Sequence, residues 1–185
     1  MSPRRTAVPS ALLLLLLAGC STPDDEPTAD GPSSSATSDA ADEADYPDEG
    51  VDLVGTPELE GVYARALRTY VDFERGRRLT AREGRVSRLL SFNATARVVD
   101  PYREALRAYD GRGTYAGDVT VEFVRAEPHG DRLLIDVCID ATQLQVPDGA
   151  PTQLGEATRA PEHVEVTNIV GSWRVTGVDP VDGSC

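Results

Sequence analysis

Between Leu59 and Phe73 the apolar residues Leu59, Val62, Tyr63, Ala66, Leu67, Tyr70 and Phe73 recur every three or four positions, the spacing of one helical face. Thr56-Pro57 ahead of them offers an N-cap oxygen and a first-turn proline, and Gly76 offers a stop, so the pattern predicts a helix between these limits. Thr80-Ala81-Arg82-Glu83 has the form of a capping box and predicts a second helix, with Val86, Leu89 and Leu90 as its apolar face. Asp100-Pro101 predicts the start of a third, through Tyr102, Leu106 and Tyr109 to Asp110-Gly111. The period then shortens to two. Val119, Val121 and Phe123 share one face of a strand from Asp118 to Val124. In the run Arg132 to Asp140, Ile135, Val137 and Ile139 share one face and Asp136, Cys138 and Asp140 the other. Glu127-Pro128-His129-Gly130 is turn material, so the two runs form a hairpin. Thr142 to Val146 extends the sheet, Asp148 to Pro161 is a Pro/Gly-rich loop, and Val164 to Val170 and Ser172 to Thr176 are the last strands. Helices first and antiparallel strands afterwards predict an α+β fold, with three N-terminal helices on a curved antiparallel sheet of about four strands.

Ahead of this pattern lies a different kind of hydrophobic run. Ala11 to Ala18 is wholly apolar, follows Arg4 and Arg5, and ends in Leu17-Ala18-Gly19-Cys20. A basic start, a short apolar core and small residues before a cleavage point make a secretory signal. The run is too short to span a bilayer, which takes roughly 20 apolar residues. Cys20 after Leu-Ala-Gly resembles a bacterial lipobox, in which the thiol receives a diacylglycerol and the bond before the cysteine is cut. Two acyl chains make a stable anchor, so the resemblance implies a membrane partner through the lipid on Cys20 and a place on the outer face of the cytoplasmic membrane. Arg4-Arg5 also leaves a twin-arginine route open, although Thr6-Ala7-Val8-Pro9 matches it poorly.

Composition then separates a tether from a domain. Ser21 to Gly50 holds ten acidic residues and no basic one, and is rich in Ser, Pro, Ala and Thr. Such a segment buries too little apolar surface to offset its ordering entropy, and as a flexible chain would span roughly 30 Å. The expected division is a signal at 1–19, the lipidated Cys20 with an acidic tether at 20–50, and a globular domain at 51–185. The net charge of −13 falls to −15 when Arg4 and Arg5 leave with the signal, which excludes a general nucleic-acid binder. All 18 basic residues are Arg, a usage that fits a high-GC genome. Eight of them lie between residues 62 and 90, against Asp72, Glu74 and Glu83. These helices are either solvated faces or a contact for an envelope protein, a wall polymer, anionic headgroups or the chain's own acidic tether.

With Cys20 assigned to the lipid, Cys138 and Cys185 remain in a compartment that permits a disulfide. Pairing is the expectation, and two buried free thiols the alternative. Asp136 and Asp140 share a strand face with Cys138. Either is a candidate general base if that face lines an apolar pocket. The competing expectation is structural, with Asp136 held by Arg174 or by backbone donors and Asp140 in solvent. His129 and His163 have no ligand spacing around them, so neither a metal nor another cofactor is expected. Gly111, Gly113 and Gly117 lie between a helix and a strand in the reverse of the order that a phosphate-binding loop needs.

The helices-then-sheet pattern, Cys138-Ile139-Asp140, and Trp173-Arg174-Val175 with the terminal Cys185 are similar to small actinobacterial lipoproteins of the NTF2-like, cone-shaped superfamily. The resemblance covers about residues 57 to 185. It implies a cone-shaped fold, either open as a pocket or filled, in a superfamily with isomerase-like and cyclase-like enzymes as well as non-catalytic binding domains, so fold alone assigns no activity. No matched motif places a catalytic residue here. The function expected is a non-catalytic binding or accessory domain in the cell envelope; the alternatives are a pocket for a small apolar ligand and an isomerase- or cyclase-like enzyme.

Overall fold

Val51 and Leu53 alternate with Asp52 and Val54, in a run of four residues too short to stand out beside the acidic segment before it. In the computed structural model, which describes residues 45–109 and 113–185, this run is a strand. It is β2 (Val51–Val54), paired antiparallel with β1 (Asp45–Tyr46) and parallel with β3 (Val119–His129). A parallel pair needs a long crossover. Here the crossover is the whole helical region: α1 (Gly61–Glu83), α2 (Arg88–Asn93) and α3 (Ala96–Tyr109). After β3 the chain meanders antiparallel through β4 (Arg132–Asp140), β5 (Arg159–Ile169) and β6 (Ser172–Pro180). The sheet has six strands in the order β1-β2-β3-β4-β5-β6. The α+β description holds, but the layer of three helices on about four antiparallel strands is corrected to a mixed, six-stranded sheet.

The helix boundaries move for local reasons. Thr56-Pro57 precedes α1 in non-helical chain, and α1 starts after Glu60 without a side-chain cap. It does not stop at Gly76. That glycine is where α2 crosses, and a Cβ there would collide with the backbone of Leu89 and Leu90. Thr80 is not a cap either. It lies inside α1, where its hydroxyl donates to the Gly76 carbonyl at 2.7 Å and accepts from the Ser87 amide at 3.0 Å. Ser87 is the true cap of α2, its Oγ accepting from the Leu90 amide at 3.1 Å. Pro101 falls inside α3 rather than at its start, because the Thr95 carbonyl already accepts from Val98 and Val99. The Thr95 amide in turn donates to Val175 on β6 at 3.0 Å, which ties the head of α3 to the sheet. Thr142 to Val146 joins no named strand; Gln145 makes an isolated bridge to Ala116. β5 starts at Arg159, five residues before the expected Val164.

The helices cover one face of the sheet. Val51, Leu53, Val121, Leu133, Ile135, Val137, Val164, Val166 and Val175 point into it and are fully buried with Tyr70, Phe73, Leu90 and Val99. Fully burying one such side chain stabilises by about 1.5–3 kcal/mol. Trp173 joins this core against Tyr63, with ring centroids 6.0 Å apart. The other face carries polar residues on β3 to β6 and is open to water, as antiparallel sheets allow.

The signal, the lipidation site at Cys20 and most of the acidic segment lie outside the described residues, as do Asp110 and Gly111. The end of the acidic segment does not: residues 45–50 belong to the fold. Arg75 holds Glu49 at 2.7 Å and covers the Tyr46 ring at 4.4 Å, and Arg82 donates to the Asp48 carbonyl at 3.0 Å. The folded part therefore starts ahead of Val51. No helix among the described residues is long and apolar enough to cross a membrane.

Candidate functional site

On α1, residues Tyr70, Glu74, Arg77, Arg78 and Ala81 fall on one stripe, which faces the open end of the core. Two charges on it meet a third from the sheet. Glu162 shares the parity of Val164 and Val166 on β5, so it points under the helices, opposite Val137 on β4. Arg77 reaches it with a fork, Nη1 to Oε2 at 2.8 Å and Nη2 to Oε1 at 3.2 Å, and also donates to Glu74 at 3.1 Å. Such bidentate, charge-assisted contacts are the strong ones.

Burial sets the electrostatics of this triad. Glu74 is 3 % exposed. Burial pushes its carboxyl up to about 7; Arg77 pulls it back down and Glu162 adds to the rise. Burial pulls the Arg77 guanidinium down, but Glu162 and Glu74 outweigh it and hold the group well above its usual value. Tyr102, from α3, and Tyr70 are pushed up, first by burial. Next on the helix, Arg78 is 5 % exposed and meets no carboxylate at ion-pair distance among the described residues. Burial, then Arg82 and Arg77, push it down to about 10, so it stays charged at neutral pH.

The triad separates two cavities. One, of about 200 Å³, lies between α1, the ends of β3 and β4, and a 3-10 turn at Thr152–Leu154; Arg78 is in its wall. The other, of about 460 Å³, opens between α3 and the ends of β5 and β6, beside Tyr102. Arg77, Glu156 and Glu162 line both. A strongly perturbed carboxyl in a cleft with fixed cations is a reasoned site candidate.

The residues singled out in the sequence lie elsewhere. Asp136 and Asp140 are on the open face of the sheet, so neither lines an apolar pocket. Asp136 accepts from Arg125 Nε at 2.8 Å and shares a 2.6 Å hydrogen bond with Nδ1 of His163. Arg174 is not its partner: β5 lies between β4 and β6, and Arg174 stands opposite Thr167. For Asp136 burial raises the pKa, but the hydrogen bonds from His163 and Arg125 outweigh it and hold the carboxyl below its usual value. Asp140 is held low by the hydroxyl and amide of Thr142, and Arg159 lies 3.5 Å away. Cys138 and Cys185 are joined, with Cα atoms 6.0 Å apart. The bridge lies on this same open face, away from Trp173.

His129, opposite Arg132 at the hairpin end, is not brought near His163. No group of three or more His, Cys, Asp or Glu among the described residues is placed to hold a metal ion. Of the eight arginines in 62–90, Arg75, Arg77 and Arg82 are engaged with carboxylates of other segments, while Arg65, Arg68 and Arg88 stay exposed. The cleft charges escaped the sequence reading because Glu162 fell between the loop ending at Pro161 and the strand expected from Val164. Carrying the alternation of Val164 and Val166 back two residues puts Glu162 on the buried face.

Comparison with protein-family models, with curated proteins and with solved structures gave no match.

Proposed function

We propose that this chain is a lipid-anchored binding domain of the cell envelope, tethered at Cys20, whose ligand enters the cleft around Arg77. The observation that carries the reading is the Glu74–Arg77–Glu162 triad between two cavities. A fold built for stability alone gains little from it, since replacing buried ion pairs with apolar residues is often neutral or stabilising. Pockets with a few fixed polar groups are the usual place for a small ligand. The charged floor argues for a polar ligand over a purely apolar one. Binding is preferred to catalysis because the Glu74 carboxylate is already committed to Arg77.

A second reading has one observation in its favour: a carboxyl titrating near neutrality is suited to proton transfer, which keeps the isomerase-like alternative in play. Location is tested by mass spectrometry of the mature N-terminus and by Cys20→Ala, which should release the protein from the membrane. Binding is tested by ligand-observed NMR with a mixed library of small polar molecules. Hits that perturb the amides of Leu154 and Thr176 support the cleft, and hits confined to the open face contradict it.

A further inference from the structure

Arg75, Arg77 and Arg82 on α1 each face a carboxylate: Glu49, Glu162 and Asp118. Arg78, more buried than any of them, does not. Among the described residues its one hydrogen bond is a long one, Nη2 to the Gly117 carbonyl at 3.4 Å. That carbonyl is already served by Arg82 at 2.9 Å, so Arg78 is redundant as its donor. The Nε of Arg78 has no partner among the described residues. A guanidinium has five N–H donors and keeps its charge, and such a group withdrawn from water without a counter-ion is costly. Arg78 faces the smaller cavity, of about 200 Å³, and its other walls include Val119, Ile139, Leu144 and Leu154. Gly155 also lines the cavity, where a side chain would press on Leu144, and its φ of 130° is one that side chains rarely adopt.

What is missing beside Arg78 is one negative charge, and the apolar walls around it suit a compact apolar body. We propose that it binds a small organic monocarboxylate, with the carboxylate on Arg78 and the apolar body against Val119, Ile139, Leu144 and Leu154. This rests on the reading of the cleft as a ligand site and names the ligand class. The planar fork of an arginine matches a carboxylate in two parallel hydrogen bonds. A second charge on the ligand is opposed by Glu74, Glu156 and Glu162, which line the same space. That excludes dicarboxylates and phosphate esters as good ligands.

The test uses the full-length protein in detergent, with benzoate, its uncharged counterpart benzamide, and inorganic phosphate as probes. Benzoate should shift the amides of Leu144, Leu154 and Gly155 saturably, and benzamide and phosphate should bind at least roughly tenfold more weakly. Arg78→Met should abolish the benzoate response without lowering the melting temperature of the free protein, because it removes an uncompensated buried charge. Arg78→Lys, which keeps the cation and loses the fork, should fold and bind benzoate roughly tenfold more weakly. Benzamide binding as well as benzoate, or Arg78→Lys binding benzoate like the parent, overturns the proposal. So does a fall in melting temperature of Arg78→Met in the free protein, which would make Arg78 a structural anchor. If neutral or cationic members of the library bind the cleft and carboxylates do not, the ligand class is wrong and the cleft reading stands. If no probe of any charge perturbs the cleft, both fall.

Discussion

Glu74 and Asp136 are both carboxylates held by an arginine, and they lie on opposite faces of one sheet. Each has burial working against its charge, yet they move in opposite directions: Glu74 up to about 7, Asp136 below its usual value. The difference is water and partners. Asp136 keeps 27 % of its side chain exposed and accepts from both Arg125 and His163, so its charged form is the comfortable one. Glu74 keeps 4 % of its side chain exposed and shares Arg77 with Glu162, so two negative charges compete for one cation. An exposed carboxylate with its partners satisfied has finished its structural task. A buried one that competes for its cation still has chemistry available.

The sharpest break of this comparison is removal of each cation. Arg77→Ala leaves the buried Glu74 and the half-buried Glu162 unpaired and should destabilise by about 3–5 kcal/mol in denaturant unfolding. Arg125→Ala, on the open face, should shift the midpoint far less. Equal effects would mean that the two clusters are energetically alike.

The open face is instead secured covalently. The disulfide closes a sequence separation of 47 residues, and Cys138→Ser with Cys185→Ser should cost about 4 kcal/mol in the chain-entropy account. The loss should leave the cavities intact, because the bridge is across the sheet from them. A double variant that also loses binding in the cleft would couple the two faces.

Glu74→Gln tests the buried side by sign. The folded pKa of Glu74 lies above its unfolded value, so the native state holds the extra proton. Stability is highest below the unfolded pKa and falls as pH rises through about 4.5 to about 7. The variant lacks this slope, so its advantage in Tm over the parent should grow between about pH 5 and about pH 8. A shrinking advantage would put the carboxyl in the ordinary range.

Asp136→Asn gives the smallest effect and the opposite slope. The depressed carboxyl contributes stability above its unfolded pKa, lost as pH falls through the lower folded one. Because Asp136 is partly solvated and its partner Arg125 is exposed, the contribution should stay within about 1 kcal/mol. The variant's deficit in thermal melts near neutrality should vanish in acid.

The hairpin of β3 and β4 was legible in the sequence because alternation marks a half-buried strand over many residues. The disulfide was legible because the lipobox-like pattern, which implies export, claims Cys20 and leaves two cysteines over. The cleft was not, since its parts carry no local signature. Glu162 falls between the loop ending at Pro161 and the strand expected from Val164, and Gly76 reads as a helix stop until α2 is seen crossing it. Ser87, the cap of α2, was hidden by the more conspicuous Thr80 to Glu83. β2 was missed because four residues carry little pattern, and its parallel partner lies beyond three helices. Arg78 was counted in a basic stretch. Only the fold shows that its neighbours have carboxylates and that it has none among the described residues.

The central claim, that the available chemistry lies under the helices and not on the open face, is tested most directly by following two carboxyl carbons through a pH titration by 13C NMR. The account predicts that Glu74 Cδ titrates near 7, while Asp136 Cγ titrates below the ordinary aspartate value. A Glu74 midpoint at the ordinary glutamate value of about 4.3, or an Asp136 midpoint above that of Glu74, would contradict it.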